Sequence, residues 1–194
     1  MIEVINNFDI RLLYWINGHF NGLLDQVMLF ASSKSGWIVF YLFLLYIIIK
    51  KYNRRAVFAI VFIALAITLS DQISVHLFKN LFQRLRPCHQ PEVMENLRMI
   101  TGCGGQYGFV SSHAANSFAL AGIVIPLIKK RWLTVTMLFW GLLIIYSRVY
   151  LGVHYPLDVM AGSLLGFAAG YAMAALFFTV NNKWGYLLDK KTTP

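Results

Sequence analysis

The chain has 194 residues, of which 58% are hydrophobic and only 13% are charged, and its formal net charge is +9. A water-soluble domain of this length does not have that composition, so the sequence excludes an ordinary soluble protein and predicts one that crosses a membrane several times. A basic excess in such a protein marks cytoplasmic loops, and no nucleic-acid partner is expected. One domain accounts for residues 1–194.

The first two predicted helices are short and precede the first long apolar run. Residues 2–17 place hydrophobic side chains at helical spacing with polar residues between them, as in an amphipathic helix that lies in the membrane interface. Residues 21–32 predict a second short helix that is partly buried. We expect Asp25 in this helix to make a structural polar contact.

Five apolar segments follow, and they predict an all-α membrane bundle of about five to six transmembrane helices. They lie at about residues 36–50, 56–78, 112–128, 132–147 and 156–180. Asp71 lies inside the second segment, where a carboxyl group is energetically costly. We expect it to make a helix–helix hydrogen bond or to support the functional site from behind. Residues 182–194 are expected to form a polar cytoplasmic tail.

The long loop at residues 86–111 contains both cysteines of the chain, Cys88 and Cys103. Fourteen residues separate them, and a disulfide closing such a loop would stabilise the fold by roughly 3 kcal/mol. Two unpaired thiols are the alternative, because the sequence does not fix the redox compartment. His89 and the two cysteines lack the ligand spacing of a zinc site, so no metal is expected here.

The last apolar segment has a small residue at every fourth position. These residues are Gly162, Gly166, Gly170 and Ala174. Small side chains at this spacing let two helices approach closely in lipid. We expect the stripe to pack within the chain, with a dimer interface as the alternative.

Basic residues are concentrated at alternate ends of the predicted spans. They are Lys50, Lys51, Arg54, Arg55, Lys129, Lys130, Arg131 and the lysines of the tail. The positive-inside rule places these ends in the cytoplasm. The opposite ends, which carry three other polar stretches, then face the outside.

Two of these polar stretches flank the long loop. Lys79 and Arg86 are seven residues apart, nearly two helical turns, which would place both cations on one helical face. Ser111, Ser112 and His113 come directly before an apolar run, where the free N–H groups at the start of a helix favour an anion.

The third polar stretch follows the fourth span. Arg148 can hold an anion, and His154 can act as a nucleophile or a general base. Asp158 lies one helical turn after His154, where its carboxylate can orient the imidazole. Pro156 predicts that the next helix begins there. Three cations, two histidines and a helix start indicate a phosphate site, with a polar helix cap beside an interfacial arginine as the alternative.

Together the three stretches resemble the three-part motif of the type 2 phosphatidic acid phosphatase family, which is related to bacterial acid phosphatases and vanadium haloperoxidases. They read Lys79…Arg86-Pro87, Ser111-Ser112-His113 and Ser147-Arg148…His154…Asp158. The first and third match the family pattern fully, whereas Val110 and Ser112 take the places of the family's proline and glycine. The resemblance covers about residues 70–170, and three motifs in order make it specific.

The resemblance implies a metal-independent phosphatase that works through a phosphohistidine. It implies that His154 is the nucleophile, that His113 is the general acid and base, and that Asp158 orients His154. The residues expected to bind the substrate phosphate are Lys79, Arg86, Ser111, Ser112 and Arg148. Three cations take the place of a metal, so no cofactor is expected.

A site at the membrane surface fits a lipid whose phosphate lies in the headgroup layer. The expected partners are therefore a membrane lipid and the bilayer, with undecaprenyl diphosphate favoured and phosphatidic acid, phosphatidylglycerophosphate or lipid A phosphates as alternatives. The expected location is the bacterial inner membrane, with the site facing the periplasm or the outside. Two other classes stay open: a vanadate-dependent haloperoxidase and a non-catalytic membrane protein that binds or transports anions.

Overall fold

The computed structural model describes residues 2–189 and the side chains of residues 3–183. The helices of this part are α1 (Ile2–Gly18), α2 (Gly22–Ser32), α3 (Ile38–Tyr52), α4 (Ala56–Gln72), α5 (Asn80–Phe82), α6 (Pro91–Met94), α7 (Ser112–Ile128), α8 (Arg131–Tyr150) and α9 (Pro156–Asp189). Three stretches are long and apolar enough to cross a membrane: Ser35–Phe82, Arg131–Tyr150 and Pro156–Lys183. The all-α membrane bundle is confirmed, and the number of crossings stays a prediction.

The core of the bundle is α7 packed against α9, with the small residues of α9 at the contact. A Cβ atom added to Gly166 would lie 1.9 Å from the carbonyl oxygen of Ala115, and one added to Gly170 would lie 2.2 Å from that of Ala119. Such distances leave no room for a side chain, so the stripe of small residues is used for packing within the chain.

The basic turns predicted to be cytoplasmic meet at one end of the bundle. The Ser35–Phe82 stretch turns at Asn53, whose φ is 48°, and so divides into α3 and α4. Beside this turn, Lys51 Nζ donates to the carbonyl of Ile128 and the Tyr52 hydroxyl donates to that of Leu127, both at 2.9 Å. The α3–α4 turn therefore lies next to the basic α7–α8 turn.

Helix α1 is present as predicted, and it carries hydrophobic side chains on its outer face. Ile5, Phe8 and Trp15 are exposed, whereas Leu13 is fully buried. The Asn17 amide donates to the carbonyl of Tyr150 at 2.7 Å and to that of Arg98 at 2.9 Å. The helix is thereby joined to the end of α8 and to the long loop.

Asp25 of α2 makes the structural contact that was expected. Its carboxylate accepts hydrogen bonds from both terminal nitrogens of Arg98, at 2.8 and 2.5 Å, and from the Tyr150 hydroxyl at 2.6 Å. The Arg98 guanidinium also lies 4.0 Å from the centre of the Phe20 ring. These contacts hold the loop against α2 and α8.

The end of the second predicted span differs from the expectation. Helix α4 passes into a π-helix at Ile73–Lys79, and α5 then stops at Gln83, whose φ is 46°. A left-handed residue ends a helix because it turns the chain away from the helix axis. Lys79 therefore ends the helical part while Arg86 lies on the loop, so the prediction that both share one helical face is wrong.

The loop after Arg86 is closed by a disulfide between Cys88 and Cys103. The structure thus adopts the first of the two alternatives left open for these cysteines. Disulfides of this kind persist in oxidising compartments.

The ends of two helices also extend past their predicted limits. Helix α8 reaches Tyr150, so Arg148 lies in the last turn of this helix. The side chains of Arg148 and Tyr150 both form hydrogen bonds with residues of α2. Helix α9 continues to Asp189, so the segment predicted as a polar tail begins as helix. Residues 190–194 of that segment lie outside the described residues.

Candidate active site

The ends of four helical segments bring most of the predicted residues to one place. Lys79 ends the π-helix, His113 lies in the first turn of α7, and Arg148 lies in the last turn of α8. His154 occupies the short turn before α9, and Asp158 lies in the first turn of that helix. The three sequence motifs thus meet at the end of the bundle opposite the basic turns.

A chain of hydroxyl groups holds Lys79. Its ammonium group donates to Ser112 Oγ at 2.7 Å, and Ser112 Oγ lies 2.8 Å from Ser74 Oγ. Since the Ser74 hydroxyl donates to the carbonyl of Asp71 at 2.8 Å, the Ser112 proton points to Ser74. Ser112 therefore acts as the acceptor for Lys79, whereas the sequence suggested a direct contact with phosphate.

Peripheral segments position the two arginines. Arg86 Nη1 donates to the carbonyl of Cys103 at 2.9 Å, and its Nε donates to that of Tyr107 at 3.3 Å. Arg148 Nη1 donates to the hydroxyl of Ser32 on α2. Both arginines are about nine-tenths buried, and each keeps guanidinium N–H groups with which it can bind an anion.

His154 is buried and faces a buried carboxylate. Its Nδ1 lies 3.4 Å from Asp158 Oδ2, which also accepts from the backbone N–H of Tyr155 at 3.1 Å. Burial, together with the positive charges of the three nearby cations, lowers the pKa of His154 well below its usual value of about 6.5. With its proton on Nδ1, the neutral imidazole presents the lone pair of Nε2.

Ser111 and His113 stand at the start of α7. The backbone N–H of Ser111 donates to the carbonyl of Asp158 at 3.0 Å, which joins the beginnings of α7 and α9. Its hydroxyl is buried and has no hydrogen-bond partner within the described part of the chain, so it remains available to an anion. His113 follows two residues later, in the first turn of α7.

Arg84 is a positioning residue that the sequence analysis missed. Its Nη1 donates to Asp158 Oδ1 at 2.8 Å, and its Nη2 donates to Asp9 Oδ2 at 2.6 Å. Both carboxylate side chains are fully buried. The guanidinium also stacks on the Tyr155 ring, 4.1 Å from its centre. The aspartate that faces His154 is thus held by a cation from the short segment between α5 and the long loop.

Asp9 connects this arrangement to the amphipathic helix α1. Its Oδ1 accepts from the backbone N–H of Leu157 at 2.9 Å, in the first turn of α9. Burial raises the pKa of Asp9 above its usual value, against the opposing effect of Arg84. The sequence contains Asp9 in an amphipathic helix and Arg84 two residues before Arg86. It carries no signal that these two residues pair across 75 positions.

A cavity of about 530 Å³ opens beside the site and descends between α3, α4, α7 and α8. Ser112 and His113 form its upper wall, so the cavity and the cation site share residues. Most of the remaining wall is apolar and includes Leu44, Ile48, Ile63, Ile67, Leu120 and Ile144. Ile60 and Asp71 of α4 both line it, which gives a length of about 16 Å at 1.5 Å per residue.

The chain is similar to several proteins that are named as phosphatases. It is 37% identical to the lipid A 4'-phosphatase of Bacteroides thetaiotaomicron over 99% of this chain and 85% of that protein. It is 30% identical to the lipid A 4'-phosphatase of Porphyromonas gingivalis, over 94% and 78%, and 28% identical to the undecaprenyl-diphosphatase of Sulfolobus acidocaldarius, over 82% and 73%.

The crystal structure of LpxE from Aquifex aeolicus superposes with a TM-score of 0.66 at 26% identity, covering 84% of this chain and 92% of that one. Residues 60–182, which contain all three motifs, the helices α7 and α8 and most of α4 and α9, match the PAP2 superfamily. The chain therefore belongs to the PAP2 superfamily and is a membrane lipid phosphatase, a hydrolase of phosphoesters.

Proposed function

We propose that this phosphatase removes a phosphate monoester from a lipid of the lipid A class at the outer membrane face, through a phosphohistidine on His154. One observation carries the proposal. The cation site and the apolar cavity share Ser112 and His113, so a lipid whose tail fills the cavity presents its phosphate to the cations. The cavity length of about 16 Å matches half of the roughly 30 Å hydrocarbon core of a bilayer.

The proposed reaction divides its steps between the two histidines. Lys79, Arg86 and Arg148 neutralise the non-bridging oxygens of the phosphate. His154 Nε2 attacks phosphorus, the bond from phosphorus to the lipid oxygen breaks, and His113 gives its proton to that oxygen. Asp158 stabilises the charge that the His154 ring gains. Water then attacks the phosphohistidine while His113 takes its proton, and inorganic phosphate leaves.

The relatives guide the choice of lipid. The two named lipid A 4'-phosphatases are 37% and 30% identical to this chain, whereas the named undecaprenyl-diphosphatase is 28% identical over a smaller part of it. Undecaprenyl diphosphate, which the sequence analysis favoured, therefore becomes the alternative substrate. Because the chain is a phosphatase, the alternative of a non-catalytic anion-binding protein is excluded.

The outward orientation rests on two features at opposite ends of the bundle. The basic turns lie together at one end, which the positive-inside rule assigns to the cytoplasm. The disulfide lies at the other end, beside Arg86, and an oxidising compartment favours it. A bacterial inner-membrane enzyme with its site towards the periplasm accounts for both.

The test is phosphate release by the purified full-length protein in detergent, with a metal chelator present. The substrates are lipid A 4'-phosphate, undecaprenyl diphosphate and phosphatidic acid, and the control is His154→Ala. We expect release from lipid A 4'-phosphate to be fastest, to be unaffected by the chelator and to vanish in the variant. Faster release from undecaprenyl diphosphate would overturn the substrate assignment, and full activity of the variant would overturn the covalent mechanism.

A further inference from the structure

The wall of the lipid cavity contains a polar pair that the reaction does not use. Asp71 of α4 and Asn116 of α7 both line the cavity, and Asn116 Nδ2 donates to Asp71 Oδ1 at 2.8 Å. Both side chains come from helices in the apolar part of the bundle. A carboxyl group at such a place is energetically costly and calls for a functional explanation.

This pair has unused hydrogen-bonding capacity. Within the described residues, the only hydrogen bond to the Asp71 carboxyl group engages Oδ1, so Oδ2 has no protein partner. The amide oxygen of Asn116 is buried and also lacks a partner there. The buried Asn116 oxygen is costly without a donor, because it forgoes the hydrogen bonds it would make in water, and Asp71, which is only partly buried, offers Oδ2 to the cavity. A ligand that brings a donor would relieve this cost.

The pair lies at a defined depth below the reaction centre. Asn116 follows His113 by three residues on α7, so the two lie on the same helical face about 4.5 Å apart along the axis. Asp71 is joined to the site from the other side, because its carbonyl accepts from Ser74, which contacts Ser112. A donor group bound by the pair would therefore lie only a few covalent bonds along the lipid from the oxygen that His113 protonates.

We propose that Asp71 and Asn116 form a binding site for a hydroxyl or amide N–H group near the phosphorylated end of the lipid tail. This inference rests on the proposed function and deepens it, since it selects among lipid phosphates. Lipids with an amide-linked or hydroxylated acyl chain carry such a donor at that position. Prenyl chains and simple ester-linked acyl chains do not.

A neighbouring hydroxyl provides the matched control. Ser117 also lines the cavity, one residue after Asn116, but its hydroxyl donates to the carbonyl of its own helix at His113, at 2.8 Å. Its only proton is thus engaged within the protein, and the side chain is 5% exposed, which leaves its acceptor sites out of reach of a ligand. Removing it changes the polarity of the cavity wall without removing an acceptor that a lipid can reach.

The experiment compares two probes with equal chain lengths, ceramide 1-phosphate and phosphatidic acid. The former carries an amide N–H and a hydroxyl near its phosphate, and the latter carries only esters. Phosphate release by the full-length protein in detergent gives kcat/KM for each. We expect the wild type to prefer ceramide 1-phosphate by about tenfold, the equivalent of one hydrogen bond of about 1.4 kcal/mol.

The preference should fall to near unity in Asp71→Leu and Asn116→Leu and persist in Ser117→Ala. The ratio is internal to each preparation, so partial loss of folded protein does not affect it. Equal rates for the two probes in the wild type would overturn this inference and leave the phosphatase intact. A wild-type preference that survived both leucine variants would also overturn it. If the protein released phosphate neither from these probes nor from any of the lipids tested above, the proposed function itself would be overturned.

Discussion

The Ser112 side chain stands where the family motif has a glycine, and its hydroxyl accepts a hydrogen bond from Lys79. A glycine there would leave the ammonium without this partner. The hydroxyl is fixed in turn by Ser74, so Lys79 is directed by a short chain of hydrogen bonds. In this protein the departure from the motif helps to position a cation.

Replacing Ser112 by alanine should weaken substrate binding more than turnover. Lys79 loses its acceptor, so KM and the inhibition constant for inorganic phosphate should rise about fivefold, equivalent to about 1 kcal/mol. The control is Ser163→Ala, because the Ser163 hydroxyl donates only to the carbonyl of Val159 in its own helix. A Ser112→Ala enzyme that bound phosphate as tightly as the wild type would show that Lys79 does not depend on this serine.

The ionisation of His154 can be followed directly. Burial, followed by the charges of Arg86 and Arg148, lowers its pKa well below the usual value of about 6.5. A lowered pKa means that protonation begins only at lower pH, so the ring should stay neutral at about pH 6, where an ordinary histidine is mostly charged. The measurement is the carbon NMR signal of labelled histidine, assigned with a His154→Gln variant. Half-titration near pH 6.5 would contradict the prediction.

Helix α1 and the segment just before the long loop act together on the first turn of α9. Asp9 accepts from the backbone of Leu157 and from Arg84, and Arg84 also binds Asp158. The amphipathic helix α1 thereby helps to fix the carboxylate that faces His154. None of these three contacts involves the substrate phosphate, so their effect should appear in turnover.

Arg84→Gln should lower kcat about 10- to 100-fold, by analogy with the partners that orient the ligands of metal sites. The inhibition constant for inorganic phosphate should change little, because Arg84 does not touch the phosphate site. Arg84→Lys should recover part of kcat. Arg98→Gln is the matched control, since Arg98 also pairs with an aspartate, stacks on a ring and is similarly exposed, at 27% against 24%. Equal loss in both arginine variants would indicate a structural role only.

The contact between α7 and α9 makes a separate prediction about stability. Gly166→Val would force a side chain into the backbone of α7, where a Cβ atom would already lie 1.9 Å from the carbonyl oxygen of Ala115. We expect a loss of about 3 kcal/mol or more, measured as a lower melting temperature in detergent. Ala168→Val, on an exposed face of α9, should melt like the wild type. Equal melting of the two variants would contradict close packing at Gly166.

Across the whole molecule, the inner bundle supplies the histidines and the peripheral segments supply their support. His113 and Asp158 lie on α7 and α9, and the sequence predicted these helices and the start of α9 at Pro156 from hydrophobic runs and local signals. The contacts that hold these groups in position could not be predicted in this way. The contact of Arg84 with Asp9, like that of Arg148 with Ser32, joins residues far apart in sequence, and only the packed structure brings them together.

The disulfide ties the position of Arg86 to the oxidation of the loop. Cys103 supplies the carbonyl that holds Arg86, and its sulfur is joined to Cys88, two residues after that arginine. Newly made chains meet a reducing cytoplasm, where this bond does not persist. With the proposed outward orientation, the loop closes around Arg86 only after it has been exported and oxidised, so newly made chains would bind phosphate weakly until then.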